Sequence, residues 1–188
     1  MQKFSRFAWK NAYGRNILLS FFPADKRFSL LLMPAQGGGM EIIMLAICSD
    51  HAGVDLKEVI KNYLAEKNIA IKDFGAYTKD SVDYPDIAEK ACAAVVSGEC
   101  DKVILICGTG IGMSICANKI KGIRCCACSD TYSARLSRNH NDANALAIGA
   151  RVLGEELAKD IVDSFLNAEF MGGKHLKRVE KINALENK

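Results

Sequence analysis

Lys102-Val103-Ile104-Leu105-Ile106-Cys107-Gly108-Thr109-Gly110-Ile111-Gly112-Met113 is the stretch that decides the fold. The unbroken apolar run from Val103 to Cys107 suits a strand buried on both faces, as strands of parallel sheets are. Gly108, Gly110 and Gly112 then let the backbone turn tightly and bring its amides close to an oxygen ligand. A helical pattern follows to about Ile120. Working outward, residues 44–49 and 69–74 read as strands on one side, and 123–128 and 146–148 on the other. Residues 55–67 carry Leu56, Val59, Ile60, Tyr63 and Leu64 at helical spacing. Pro85 suits the first turn of a helix over 86–97, and 132–138 and 155–166 continue the alternation. The pattern predicts an α/β fold: a doubly wound, Rossmann-like three-layer sandwich around a five-stranded parallel sheet, with right-handed crossovers.

The 188 residues are 49% hydrophobic and 25% charged, with a formal charge of +3, an ordinary globular composition. That charge is unevenly placed. Residues 1–43 hold Lys3, Arg6, Lys10, Arg15, Lys26 and Arg27 against Asp25 and Glu41, a net +4, which leaves −1 on the remainder. A domain at −1 exerts no general pull on nucleic acid, and no apolar run approaches the ~18 residues of a membrane span. Residues 1–41 therefore stand apart as a basic, aromatic leader, interrupted by Pro23 and running into Gly37-Gly38-Gly39; residues 42–188 form the folded domain and its C-terminal helical tail. The leader is expected to be disordered or to reflect a mis-assigned start, with translation from Met40 or Met44; an organelle presequence is the competing reading.

Eight cysteines invite a disulfide framework, but their positions argue otherwise. Cys48, Cys107, Cys125, Cys126 and Cys128 lie in or beside strand-like runs, and Cys92 and Cys116 lie in helical ones. Cys126 and Cys128 share one strand face, where neither a bridge nor a zinc knuckle is expected. Buried, reduced thiols in a chain of this size point to the cytoplasm.

Ligands of such a sheet bind beyond the C-terminal ends of its strands. Those ends read Ser49-Asp50-His51-Ala52-Gly53, Cys107 through Gly112, and Ser129-Asp130, and the following helix runs out in Ser137-Arg138-Asn139-His140-Asn141-Asp142. A thiol at the start of a helix has its thiolate stabilised, so Cys107 is a candidate base or nucleophile. A nucleotide fingerprint is weaker: Asp130 is suitably distant, but Met113 stands where the last glycine belongs, and no Gly-Lys-Ser/Thr follows as a P-loop requires. The chain's histidines, His51, His140 and His175, fall in polar, loop-like stretches. Lys174 and Arg178 are four apart, a spacing that shares a helical face and suits a phosphate dianion.

Ser49-Asp50-His51-Ala52-Gly53, Asp83-Tyr84-Pro85-Asp86, Ile106 through Gly112, Ser137 through Asp142, and Gly172-Gly173-Lys174-His175 together resemble the B type of ribose-5-phosphate isomerase, within the ribose/galactose isomerase family. The resemblance spans about residues 42–186. It implies an aldose–ketose isomerase of the non-oxidative pentose phosphate pathway, working through a cis-enediolate without metal or organic cofactor. Cys107 matches the family's base and Thr109 the hydroxyl that helps activate it. Gly108, Gly110, Gly112 and Asn141 match the anion hole, and His140 the residue that opens the furanose ring. Asp50 and Tyr84 match contacts to the sugar, while His51, His175, Arg178 and Lys174 match the phosphate set. The resemblance also implies a homodimer whose sites draw on both chains, with a tetramer left open. Two departures stand out: Lys174 replaces an arginine common in relatives, losing bidentate geometry, and Met113 replaces a glutamate that one branch uses as base. Ribose 5-phosphate is the default substrate, with allose or galactose 6-phosphate as alternatives. A phosphocysteine carrier and a nucleotide-binding module are the competing function classes.

Overall fold

The computed structural model describes residues 7–10, 16–19 and 44–187. The chain divides into units Met1–Met40 and Glu41–Lys188. In the first, β1 (Phe7–Lys10) pairs antiparallel with β2 (Asn16–Leu19). The expectations of disorder and of a later start fall largely on leader residues outside those described.

In the second unit the elements run β3 (Met44–Ser49), α1 (Val54–Glu66), β4 (Ala70–Asp73), α2 (Tyr84–Val96), β5 (Lys102–Cys107), α3 (Ile111–Ala117), β6 (Cys125–Ala127), α4 (Thr131–Asn141), β7 (Ala145–Gly149), α5 (Glu155–Leu166) and α6 (Lys174–Leu185). The five strands are parallel and ordered β4-β3-β5-β7-β6. From β3 the chain moves to one edge for β4, then crosses to β5 on the other side. The adjacent β3 and β5 therefore flank a topological switch point, where the strand ends leave a crevice.

The strand sequences dictate two unlike layers. Leu45, Ile47, Ile104, Ile106, Leu146 and Ile148 face one way and pack with Ile60 and Leu64 of α1 and Ile161 and Phe165 of α5. The intervening Ala46, Cys48, Leu105, Ala145 and Ala147 face the other way, against Ala88, Ala91 and Cys92 of α2 and Met113 and Ala117 of α3. Period-two alternation of branched and small residues thus fills a thick layer and a thin one. Cysteine serves in the thin layer as a small hydrophobe. Burial pushes the Cys48 thiol well up and the Cys92 thiol up to about 12, so both stay protonated.

Lys57 is the one lysine of α1 that is fully buried. Its Nζ donates to Asp73 Oδ1 at 2.9 Å and to the Ala76 carbonyl at 2.6 Å. Ala76 N–H in turn donates to Ser49 O, and Ser49 N–H to Gly75 O, each at 2.6 Å. The buried cation therefore fixes the loop that braces the end of β3.

Several boundaries differ from the sequence reading. β6 ladders only over Cys125–Ala127, and Asn118 at the end of α3 covers its open edge by pairing with both the N–H and C=O of Cys125, at 2.8 and 2.9 Å. α2 begins at Tyr84, with Pro85 inside its first turn. α4 continues to Asn141, so His140 is helical; it stops where Asp142 turns left-handed at φ 46°. His175 likewise lies in the first turn of α6 and is buried.

Candidate active site

The crevice between β3 and β5 gathers the first group of candidate residues. Asp50 is buried, and its Oδ1 accepts the N–H groups of Ala52 and Gly53 at 2.9 and 3.0 Å, which fixes the carboxylate against its own turn. Asp50 N–H also donates to Ile106 O at 3.0 Å, tying β3's end to the residue before Cys107. His51 Nδ1 and Ser49 Oγ are buried with no hydrogen-bond partner. A polar atom left in that condition is a point where a ligand gains affinity by supplying the missing bond.

Cys107 closes β5 at 6% exposure, and its Sγ accepts the Gly110 N–H at 3.1 Å. That amide is available because Gly110 adopts φ 80°, and a Cβ there would lie 3.0 Å from the Ile148 backbone. Only glycine meets both conditions. Thr109 is exposed; its Oγ1 accepts the Ile111 N–H at 3.4 Å, so the bonded partner of the thiol is the Gly110 amide. Tyr84 lies over the loop: a Cβ on Gly112 would come within 2.9 Å of its ring. Across the crevice, Arg151 N–H donates to Gly108 O at 3.0 Å, and its side chain passes 3.6 Å from where a Gly108 Cβ would stand. Arg151 is exposed. Arg151 was not singled out from the sequence, although it follows Gly149, the C-terminal residue of β7, by two positions.

A second group assembles around the end of α4. The His140 and His175 rings stack with centroids 4.2 Å apart and planes 2° from parallel. Burial, then the charges of His140, Lys174 and Arg178, hold the His175 imidazole below its ordinary range. Crowded positive groups of this kind favour an anion. Lys174 and Arg178 stand one turn apart on α6. The connection into α6 is pinned to α4, with Asn139 Nδ2 donating to Glu169 O at 2.6 Å and Met171 N–H to Asn139 O at 3.0 Å. Arg124 Nη2 and Arg138 Nη1 grip the two Asp142 carboxylate oxygens at 3.0 and 2.8 Å. Arg124 Nε also donates to the Asn141 carbonyl at 3.1 Å.

One chain does not unite the two groups. Asn141 and Asp142 contact Arg124 at the start of β6, and Asn144 O accepts the N–H of Val103 at the start of β5 at 3.0 Å. Cys107 is four residues further along β5, about 13 Å at ~3.3 Å per residue. Cys107, Thr109, Asp50, His51, Tyr84 and Arg151 therefore occupy the C-terminal end of the sheet. His140, Asn141, Lys174, His175 and Arg178 occupy the N-terminal end.

Fold and loop define a class first: a doubly wound α/β protein with a thiol and converging loop amides at its switch point, suited to a small oxyanionic ligand. A family profile described as Ribose/Galactose Isomerase matches residues 45–182, and the chain belongs to that family. It is 51% identical over 142 residues to ribose-5-phosphate isomerase B of Escherichia coli, covering 76% of this chain and 95% of the relative. It is 45% identical to D-erythrulose-4-phosphate isomerase of Pectobacterium atrosepticum, covering 77% and 96%. Among solved structures, ribose-5-phosphate isomerase B of Clostridium thermocellum superposes with a TM-score of 0.76 at 52% identity, covering 77% of this chain and 98% of that one. Among the described residues no helix is long and apolar enough to cross a membrane.

Proposed function

We propose that the protein interconverts D-ribose 5-phosphate and D-ribulose 5-phosphate through a cis-enediolate, as a cytoplasmic homodimer serving the non-oxidative pentose phosphate pathway. The observation that carries the reading is the Cys107 sulfur, shielded from bulk water and 3.1 Å from the Gly110 amide at the mouth of the glycine loop. The thiolate takes the C2 proton, and the electron pair moves to form the C1–C2 enediol while negative charge develops on oxygen. The loop amides of Gly108, Gly110 and Gly112, with Asn141 of the partner subunit, stabilise that oxygen. Cys107 then returns the proton to C1 while the O2 proton passes to O1, so C2 becomes the carbonyl and no net charge or electron is lost. Thr109 shapes the same loop through its bond to Ile111 N–H.

His140 of the partner subunit opens the furanose ring by proton transfer, work suited to an imidazole near neutral pH. Asp50 and Tyr84 hold the sugar hydroxyls. The phosphate lies among His51, Arg151 and, from the second copy, Lys174, His175 and Arg178, whose unneutralised charge crowds His175 in the free protein. A second copy is required because each chain carries the two groups at opposite ends of its sheet. The likeness to a D-erythrulose-4-phosphate isomerase makes a four-carbon substrate the second reading.

The test is turnover of ribose 5-phosphate, D-erythrulose 4-phosphate and allose and galactose 6-phosphates with EDTA present, in the native chain and in Cys107→Ala. The expected result is ribose 5-phosphate turnover that falls by ~10³-fold or more in the variant while substrate binding persists. Near-native turnover by Cys107→Ala removes the thiol from the mechanism, and preference for another sugar moves the substrate.

A further inference from the structure

Arg124 immediately precedes β6. Its main chain is fixed to the start of β7: Arg124 N–H donates to Asn144 Oδ1 at 2.8 Å, and Arg124 O accepts the N–H groups of Asn144 and Ala145 at 3.2 and 3.3 Å. From that fixed base the guanidinium reaches two helices. Nε donates to the carbonyls of Asn141 and Asp142 at 3.1 and 3.0 Å, and Nη2 to the Asp142 carbonyl at 2.7 Å and its Oδ2 at 3.0 Å. The last carbonyls of a helix have no partner within it, and a cation there also meets the negative end of the helix dipole. Nη1 donates instead to Asn183 Oδ1 on α6, at 3.3 Å. One side chain therefore joins the end of α4, which carries His140 and Asn141, to the helix that carries Lys174, His175 and Arg178.

α6 depends on such a tie. Its buried residues are His175 and Val179, both in its first half. Further along, Ile182 and Leu185 are exposed and line a cavity of about 560 Å³ shared with Ile120, Arg124 and Asn141. Close packing fixes the side chains of a core; beside an open cavity, hydrogen bonds set where the helix lies. The start of α6 is held by the His140–His175 stack and by the strap pinned to Asn139. Its far end is held by Arg124 at Asn183, by Glu186 Oε1, which accepts the Gly122 N–H at 3.0 Å, and by Asn187 Oδ1, which accepts from Lys121 Nζ. Asn183 lies eight residues beyond His175, about 12 Å at ~1.5 Å per residue. Two fixed points set the tilt of a stiff helix, so the distal anchor governs how the residues near its start are presented.

We propose that Arg124 is a positioning residue for the half-site formed by α4 and α6: it sets the tilt of α6, and with it Lys174, His175 and Arg178, relative to His140 and Asn141. Under the isomerase reading, on which this assignment rests, those residues serve the crevice of a second copy. Arg138 also holds Asp142, through Oδ1 at 2.8 Å; the tie across to α6 is what Arg124 adds. Lysine cannot replace it, because one ammonium stands where the planar fork uses three separate nitrogens.

The full-length native chain is compared with Arg124→Gln, Arg124→Lys and Asn183→Ala by ribose 5-phosphate kinetics, and by the nuclear Overhauser peak between the His140 and His175 rings in histidine-labelled protein. Arg124→Gln is expected to lower kcat/KM by about 10²-fold, the cost of a ~1 Å misplacement, with KM raised by about tenfold. Arg124→Lys recovers little of the loss, and the ring-to-ring peak fades in both. Asn183→Ala, which frees α6 while the guanidinium stays on α4, raises KM by about threefold. A lower kcat at native KM reports a smaller folded fraction and overturns the assignment. So does full recovery in Arg124→Lys, or an undiminished ring-to-ring peak in Arg124→Gln; each leaves the isomerase reading standing. If the native chain leaves ribose 5-phosphate unchanged, that reading fails, and the ring-to-ring peak alone decides whether Arg124 sets the pair. Asn183→Ala decides the matter if the Arg124 variants fail to fold, and a native KM there overturns the assignment.

Discussion

Mixing two variants expected to be inactive tests the proposed shared site. Cys107→Ala removes the proposed base at the C-terminal end of β5, and His140→Ala removes the proposed ring-opening imidazole at the far end of α4. The sheet holds these ends about 13 Å apart, measured along β5 from Val103 to Cys107 at ~3.3 Å per residue. No side-chain rotation closes such a gap, and β5 is a buried central strand. Each variant alone places one lesion in every site of the proposed homodimer. When equal amounts are unfolded together and refolded, random assortment makes about half of the dimers mixed. A mixed dimer has one site with both lesions and one site with neither, so the mixture recovers about a quarter of native activity. The assay is ribulose 5-phosphate formation before and after co-refolding, with each variant refolded alone as background. Failure of the mixture to rise above background, in protein shown by mass to contain mixed dimers, refutes a site built from two chains.

Three further outcomes follow from particular contacts. Gly110→Ala places a Cβ 3.0 Å from the Ile148 backbone at φ 80°. The expected cost is ~1–3 kcal/mol, a drop of about 2–12 °C in melting temperature, together with loss of turnover as the amide leaves Cys107; an unchanged melting curve contradicts the close approach. Lys57→Met strips Asp73 Oδ1 and the Ala76 carbonyl of a buried donor. Breaking a buried pair costs about 3–5 kcal/mol, which calorimetry should register as a melting temperature lower by roughly 6–20 °C. His175 has its folded-state pKa depressed by burial and by neighbouring positive charge. The unfolded chain therefore takes this proton first, so the stability His175 contributes is complete above an unfolded pKa of about 6.5 and is lost as pH falls below it. Melting temperatures from pH 7.5 to 5.5 should decline more steeply in the native chain than in His175→Asn; parallel declines count against the assignment.

The sheet could be read from the chain because its strands are buried on both faces, and so are written as continuous apolar runs such as Val103–Ile106 and Leu45–Cys48. The edges were harder. β6 has a neighbour on one side only, and its open edge is covered at Cys125 by Asn118, a side-chain contact that no periodicity reports. The end of α4 was also hidden: Ser137-Arg138-Asn139-His140-Asn141 looks like loop on propensity, but Arg124 and Arg138 hold Asp142 and Asn139 ties down the following strap, so tertiary contacts carry the helix three residues past 138.

Local patterns identify elements and the residues at their ends; they do not state at which end of the sheet a motif lies. Direction supplies it. In a parallel sheet every strand runs the same way and each crossover helix runs back, so a motif at the end of a strand and one at the end of a helix stand at opposite edges. Cys107 ends a strand and His140 ends a helix. Once the fold class was fixed, their separation followed without any coordinate. A chemistry that needs both residues therefore needs two chains, and in the proposed homodimer the stacked His140–His175 pair with Lys174 and Arg178 is the half that one chain presents to the crevice of the other.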